Sequence, residues 1–147
     1  MTITLANAGD AARLFDVWES SVRATHHFLA ERDIQAPAPI VRRLLQEFSP
    51  IHCLRDEAGV PFAFLGVADG VIEMLFVHAA RRGDGAGRTL VEFAVRECAA
   101  RAVDVNEQNE PACGFYRHMG FETVRRSETD PFGNPFPILH LACKNNS

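Results

Sequence analysis

A glycine-rich stretch flanked by arginines is the part of the sequence that most directly indicates chemistry. It reads Arg81-Arg-Gly-Asp-Gly-Ala-Gly-Arg88, follows an apolar segment and opens an amphipathic one. A turn between a strand and a helix aims unpaired backbone N–H groups at an anion, and glycines let the backbone approach it closely. Arg82 and Arg88 can add charge-assisted hydrogen bonds. The stretch predicts a phosphate or pyrophosphate site, although a surface turn that needs glycine only to change direction has the same pattern.

The second chemical candidate is a phenol. The chain holds one tyrosine, Tyr116, beside eleven phenylalanines and one tryptophan. A phenol placed beside a leaving group can protonate it as the bond breaks. Tyr116 also shares helical spacing with Ala112 and Phe115, a pattern typical of side chains that only pack. Spacing alone leaves both interpretations open.

Two other phosphate-binding patterns fit the glycine-rich stretch less well. A P-loop has Lys followed by Ser or Thr after its last glycine, whereas Arg88-Thr89 stands there. A dinucleotide-binding fingerprint has an acidic residue about twenty positions downstream, and Asp104 meets that requirement. Too little chain follows, however, for the second half of such a domain. A nucleotide-binding domain is therefore kept only as a further alternative.

Composition restricts the class of protein. The chain has 147 residues, 15 Lys and Arg against 19 Asp and Glu, a net charge of −4 and 47% hydrophobic residues, which are the proportions of one globular domain. Mild acidity argues against a nucleic-acid partner. No apolar run approaches the roughly 18 residues of a membrane helix, so no membrane partner is expected. Four cysteines without a C-x-x-C pair, and no signal peptide, favour a cytoplasmic protein with free thiols.

The elements that position these groups follow from the spacing of apolar residues. Strands are predicted over residues 2–6, 51–55, 61–67, 71–77, 102–105, 121–127 and 138–144, and helices over about 11–29, 39–48, 86–101 and 110–119. The order β-α-α-β-β-β-α-β-α-β-β describes an α/β (α+β) domain around a mixed sheet. A crossover helix joins the strands at 71–77 and 102–105, which makes them parallel.

Three segments together resemble the GNAT superfamily of N-acetyltransferases. They are Leu75-Phe-Val77, Arg82-Gly-Asp-Gly-Ala-Gly87 and Asn109-Glu-Pro-Ala-Cys-Gly-Phe-Tyr116-Arg-His-Met-Gly-Phe121. The resemblance implies a single N-acetyltransferase domain over residues 1–147. Its fold is expected to be a mostly antiparallel central sheet in which one parallel pair splays apart. Acetyl-CoA is implied as the acetyl donor, with its pantetheine arm in the gap between the splayed strands.

The resemblance also implies roles for individual residues. Tyr116 is expected to protonate the leaving thiolate, and a strand N–H to polarise the thioester carbonyl. Asn109 and the backbone of the first segment are expected to bind the pantetheine arm, and the turn to bind the pyrophosphate. The implied cofactor-binding residues are Leu75, Phe76, Val77, Arg82, Gly83, Asp84, Gly85, Ala86, Gly87, Arg88 and Asn109.

The acceptor is expected to be a primary amine that attacks the thioester directly in a ternary complex. The resemblance favours a peptidyl lysine or another protein amine, held by the first two helices and the loop at residues 130–137. A small-molecule amine and a non-catalytic acyl-CoA-binding module are the alternatives. The sequence leaves open whether the protein is a monomer or a homodimer.

Three residues are candidates for the general base. Strand alternation puts Glu73 on the face of Leu75 and Val77, and Asp104 lies on the facing strand beside the splay. His26 falls where the superfamily builds its acceptor pocket. No spacing of His, Cys, Asp and Glu typical of a metal site is present, so no metal is expected.

Overall fold

The computed structural model describes residues 1–144, which form a seven-stranded sheet with helices on both faces. The strands are β1 (Ile3–Leu5), β2 (Ile51–Arg55), β3 (Pro61–Ala68), β4 (Val71–Val77), β5 (Ala102–Asn106), β6 (Phe121–Ser127) and β7 (Ile138–Cys143). The helices are α1 (Ala11–Thr25), α2 (Glu31–Gln35), α3 (Ala38–Glu47), α4 (Ala86–Glu97) and α5 (Glu110–His118). The sheet order is β1-β2-β3-β4-β5-β7-β6, and only β4 and β5 are parallel. The predicted mixed, mostly antiparallel fold is confirmed.

Two apolar clusters hold the helices to the sheet. On one face, Leu14 and Trp18 of α1 pack with Phe64 and Met74 of the central strands. On the other face, α4 and α5 cover the sheet through a larger cluster that includes Leu90 and Phe121. Both clusters are built from residues on opposite sides of the same strands, as the alternation of side chains along a strand requires. Within residues 1–144, no helix has the length and apolar character needed to cross a bilayer.

The parallel pair separates almost as soon as it forms. Two residue pairs join β4 to β5, Val71 with Ala102 and Ile72 with Val103. Beyond them β4 continues along β3, while β5 continues along β7. The diverging strands leave a gap, here called the β4–β5 gap, in which neither strand hydrogen-bonds to the other.

Two helix ends differ from the sequence-based prediction. The first helix ends at Thr25 rather than near residue 29, because His26 leaves helical geometry with φ −109° and ψ 61°. The short additional helix α2 follows it. Helix α4 ends at Glu97 rather than residue 101, because Ala99 adopts a left-handed φ of 56° and the N–H of Ala100 bonds back to the carbonyl of Ala94 at 3.0 Å.

Candidate active site

A cavity of about 400 Å³ opens where β4 ends and α4 begins, a volume within the range of small-ligand sites. It brings together residues from α1, β4, the glycine-rich turn, α4 and α5. The lining residues are Ser21, Thr25, His26, Leu75, Phe76, Val77, Arg81, Arg82, Gly83, Gly85, Ala86, Gly87, Arg88, Asn109, Pro111, Ala112, Phe115 and Tyr116. Of the fifteen predicted site residues, the cavity excludes Asp84, Glu73 and Asp104.

The N-terminus of α4 presents unpaired amides at this cavity. Gly85 is the N-cap, with a left-handed φ of 85° and no side-chain cap. The first helical bond runs from the N–H of Thr89 to the carbonyl of Gly85 at 3.0 Å. The amides of residues 86–88 therefore have no hydrogen-bond acceptor within the described part of the chain. Such a helix end carries partial positive charge and suits an anion.

Close packing explains the last glycine of the turn. A Cβ added at Gly87 would lie 3.3 Å from the ring of Phe115, tighter than side-chain atoms normally approach. The bare backbone at Gly87 lets the first turn of α4 lie directly against α5. The amides of α4 and the side chains of α5 consequently line one continuous cavity.

Asp84, which was predicted among the ligand-binding residues, is not one of the residues that line the cavity and bonds to Arg81 within the turn. Its carboxylate accepts a hydrogen bond from Arg81 Nε at 3.0 Å. The Arg81 guanidinium also lies 3.8 Å above the ring of Phe62. These contacts hold Arg81. Arg82 and Arg88 line the cavity without a close ion pair to any residue in the range 1–144, where the shortest such distance is 3.8 Å, from Arg88 Nε to Glu92 Oε1.

The end of β4 offers main-chain groups to the gap. The N–H of His78 bonds to the carbonyl of Phe62 on β3 at 2.8 Å, so alternation turns the backbone of Phe76 toward β3 as well. The N–H and C=O groups of Leu75 and Val77 then face the β4–β5 gap. Three residues of β4 were predicted to bind the pantetheine arm through their backbone. The backbone groups of Leu75 and Val77 are free to do so, whereas Phe76 can contribute only its side chain.

Tyr116 of α5 lines the cavity. Its side chain is 7% exposed, and the rings of Phe115 and Phe121 meet it edge-on at centroid distances of 5.1 and 5.7 Å. Burial raises the pKa of Tyr116, because the phenolate is poorly solvated there. Its hydroxyl has no hydrogen-bond partner among residues 1–144. The result is a neutral phenol with an uncommitted O–H donor.

Asn109 caps helix α5 and also has a hydrogen-bond donor that is free to bind a ligand. It is 8% exposed and caps α5, its Oδ1 accepting the N–H of Ala112 at 3.3 Å. The capping bond uses only the carbonyl end of the amide. The NH₂ end has no partner within the described residues and can donate into the cavity.

His26 is the predicted base that lines the cavity. The Thr25 hydroxyl donates to the carbonyl of Ser21 at 2.8 Å, so its 2.9 Å contact with His26 Nδ1 requires a proton on that nitrogen. Nε2 of the neutral ring then carries a lone pair. Burial lowers the pKa of His26, opposed by a hydrogen bond to the carbonyl of Val22 and reinforced by the charge of His27. The ring is therefore kept neutral and able to accept a proton.

The two carboxylate candidates lie at the origin of the β4–β5 gap instead. The pairing of β3 with β4 contains a β-bulge. Gly66 pairs with Met74 and Val67 pairs with Ile72, so Glu73 is the extra residue of β4 and has no partner on β3. This bulge breaks the alternation on which the prediction for Glu73 rests. Burial raises the pKa of Glu73, with smaller contributions from the charges of Asp104 and Asp69. Asp104 is bonded through Oδ1 to His140 Nδ1 at 2.7 Å.

Sequence reasoning missed several lining residues on α1 and α5, of which Thr25 matters most because it sets the His26 tautomer. The sequence does place the Thr25 hydroxyl next to His26, a candidate base, and this neighbour could have indicated the contact. It could not be used while the helix was predicted to continue to residue 29. Across residues 1–144, no three His, Cys, Asp or Glu side chains come together as a metal ion would require.

The chain is similar in sequence and in fold to known proteins. The chain is 38% identical over 133 residues to peptidyl-lysine N-acetyltransferase YjaB of Escherichia coli strain K12, covering 90% of each chain. The solution structure of apo-form YjaB from Escherichia coli superposes with a TM-score of 0.88 at 36% identity and 99% coverage of both chains. The structure of yncA from Salmonella typhimurium with its cofactor acetyl-CoA shares the fold, with a TM-score of 0.67, 19% identity, and coverage of 100% and 96%. The family model described as acetyltransferase (GNAT) matches residues 13–121, and the chain therefore belongs to that family.

Proposed function

We propose that the protein transfers the acetyl group of acetyl-CoA to the side-chain amine of a peptidyl lysine. The observation that carries this proposal is the single cavity that joins an uncapped helix N-terminus, a free strand edge and a neutral phenol. Family membership supports the reaction class. The name of the relative that is 38% identical supports the lysine acceptor.

The residues of the cavity fit acetyl-CoA by their chemistry. The amides of residues 86–88 and the guanidiniums of Arg82 and Arg88 suit a pyrophosphate. The backbone groups of Leu75 and Val77 suit the amides of an extended arm, which adds to the edge of β4 as a further strand would. The NH₂ group of Asn109 supplies one more donor along the same path.

The same residues account for the steps of acetyl transfer. When bound, acetyl-CoA supplies a thioester that an amine can attack. His26 Nε2 takes a proton from the attacking nitrogen, and a free N–H at the end of β4 stabilises the charge that develops on the carbonyl oxygen. Tyr116 donates its proton to the departing sulfur. Each group has the protonation state that its role requires.

We further propose that residues 1–147 act as one catalytic domain in the cytoplasm. All four cysteines, Cys53, Cys98, Cys113 and Cys143, are free thiols, as is usual in a reducing compartment.

The reaction is tested by mixing the protein with acetyl-CoA and a peptide that contains one lysine and a blocked N-terminus. We expect thiol release that depends on the peptide, and one added acetyl group by mass spectrometry. Binding of acetyl-CoA without thiol release, for this peptide and a panel of small amines, would indicate a non-catalytic acyl-CoA-binding module. Release with small amines alone would contradict the lysine acceptor.

Replacement of Tyr116 by Phe tests the acid. We expect kcat to fall about 100-fold, because general acid catalysis contributes on that order, while KM for acetyl-CoA changes little. The chain has no second tyrosine, so no neighbouring phenol can substitute. An unchanged kcat would exclude Tyr116 as the proton donor.

A further inference from the structure

A chain of hydrogen bonds crosses three adjacent strands on the side of the sheet away from α5. Asp104 of β5 and His140 of β7 are direct cross-strand partners, and Oδ1 of Asp104 lies 2.7 Å from Nδ1 of His140. Ser127 Oγ, at the end of β6, lies 2.8 Å from Nε2 of the same ring. We call Asp104, His140 and Ser127 the strand array.

The hydrogen bonds of the array leave one carboxylate oxygen free. An ionised Asp104 can only accept, so His140 Nδ1 donates to Oδ1. In the tautomer with a single proton on Nδ1, Nε2 is an acceptor, and the Ser127 hydroxyl donates to it. Both ring nitrogens are engaged, which fixes the orientation of the imidazole and of the carboxylate. Oδ2 of Asp104 has no partner among the described residues, and the side chain is 57% exposed.

The array lies on the face of the sheet opposite α4 and α5. Val103, Val105, Leu139 and Leu141 pack in the cluster under α4 and α5, so the alternating residues Asp104 and His140 project from the opposite face. None of the described residues of β5, β6 or β7 belongs to the cluster that α1 and α3 form on that face. Asp104 is also the first residue of β5 beyond its last pair with β4. Its carboxylate therefore lies at the origin of the β4–β5 gap.

Aromatic contacts connect this face to the cavity. The ring of His26 lies 5.3 Å from that of Phe28, which in turn lies 5.9 Å from that of Phe136. Phe136 lies two residues before Ile138, the first residue of β7, which pairs with Ser127. The segment that contains His26 therefore contacts the loop before β7, the strand that carries His140.

The chemistry of acetyl transfer requires a second proton acceptor. A lysine arrives as an ammonium ion and leaves as an amide, so its nitrogen loses two protons. His26 takes one of them. A fixed, ionised carboxylate both attracts an ammonium group and accepts its proton. Glu73 is less suited, because its carboxylate makes no hydrogen bond to the described residues and is therefore not held in one orientation.

We propose that Asp104 contacts the ammonium group of the acceptor and accepts its first proton, and that His140 and Ser127 are positioning residues that hold this carboxylate. In this step one N–H bond of the ammonium breaks and an O–H bond forms at Oδ2. The proton then passes to water before the next turnover. The inference rests on the proposed function, whose acceptor it describes in more detail.

The test compares two acceptors that differ in charge. One is the lysine peptide. The other carries an aminooxy group at the end of a side chain of the same length, and this amine is uncharged at neutral pH. His140→Ala should lower kcat/KM for the lysine peptide about tenfold or more, part of the contribution of general base catalysis, because the carboxylate is no longer held in position. It should leave kcat/KM for the aminooxy peptide and KM for acetyl-CoA nearly unchanged, since no ammonium proton has to be removed.

Conservative variants separate positioning from folding. His140→Asn keeps an N–H donor near the position of Nδ1 and should recover part of the lost activity with lysine. Ser127→Ala should show the same selectivity with a smaller loss. His118→Gln, at an exposed position on α5, is the matched control and should change neither acceptor. Melting temperatures establish that each variant is folded.

An equal loss with both acceptors, or no loss with either, would overturn the inference even if the wild-type protein acetylates the lysine peptide. Failure of the wild type with that peptide is instead a failure of the proposed acceptor. In that case propylamine and O-methylhydroxylamine provide the same contrast between a charged and an uncharged amine. If the wild type uses no amine at all, both proposals are wrong.

Discussion

At the scale of single residues, burial determines the protonation state of the groups that we assign to the reaction. Tyr116 and His26 are both kept neutral, the first as a donor and the second as an acceptor. Neither is held by a charged partner within the described residues. Their states depend on the packing around the cavity, and a change in that packing alters the chemistry without touching either residue.

Asn109 allows a structural and a chemical role to be separated in one side chain. Asn109→Asp keeps a capping oxygen for α5 but loses the NH₂ donor, whereas Asn109→Ala loses both. We expect the aspartate variant to keep its melting temperature and to raise KM for acetyl-CoA. The alanine variant should in addition lose about 1 kcal/mol of unfolding free energy, the usual value of a helix cap. Equal KM values for the wild type and the aspartate variant would exclude Asn109 as a ligand-binding group.

At the scale of elements, the N-terminus of α4 is the feature on which we propose that donor binding depends. Its amides are free because Gly85 ends the turn in a left-handed conformation without a side-chain cap. Its distance from α5 is set by the bare backbone of Gly87. Conformation and close approach are thus separate requirements that two glycines meet.

Substitution of either glycine by alanine should weaken acetyl-CoA binding. Gly85→Ala places a Cβ in a left-handed residue, which costs about 1–2 kcal/mol, and shifts the amides that follow. Gly87→Ala forces the ring of Phe115 to move. We expect Kd for acetyl-CoA, measured by calorimetry, to rise about tenfold in each, equivalent to about 1.4 kcal/mol.

Gly114 provides the control for this experiment. It lies within α5, and a Cβ added there meets no atom within 4 Å. Gly114→Ala should bind acetyl-CoA as the wild type does and gain about 0.5–1 kcal/mol of stability from the better helix former. Equal weakening in all three variants would show that the turn has no special part in binding.

At the scale of the whole molecule, helices pack on both faces of the sheet. Partly buried imidazoles lie between the sheet and these helices. The ring of His52 on β2 packs 4.7 Å from that of Phe93 on α4. Burial lowers the pKa of His52, as it does that of His26. Both imidazoles are therefore neutral in the folded protein at pH values where the unfolded chain already binds protons.

The expected consequence is a loss of stability in mild acid. A folded-state pKa below the unfolded value of 6.5 means that the unfolding free energy is fully present above about pH 6.5 and decreases as the pH falls from there. Urea unfolding between pH 7.5 and about 5 should show this decrease. His52→Gln should make it shallower, and the exposed control His118→Gln should not. A slope that His52→Gln leaves unchanged would contradict this account.

Much of the fold follows from local pattern. The spacing of apolar residues predicts β2, β4 and β6 with their observed bounds, because alternation and turn signals are properties of neighbouring residues. The ends of α1 and α4 are not predicted, because the sequence pattern does not show the change of backbone conformation at His26 and Ala99 or the contacts that the chain makes after it. The N–H of Arg101, for example, bonds to the carbonyl of Gly70 at 2.7 Å and draws the chain out of the helix.

The family, the glycine-rich turn and the one phenol were evident from the sequence, since each depends on residue types at fixed spacing within continuous segments. Only the tertiary structure decided which candidate base lines the cavity, and that Asp84 supports the turn from outside it. It alone joins Asp104 to His140 and Ser127, which are far apart in the chain. The physical reason is strand register, which brings residues of β5, β7 and β6 into hydrogen-bond distance and leaves no trace in the spacing of any one segment.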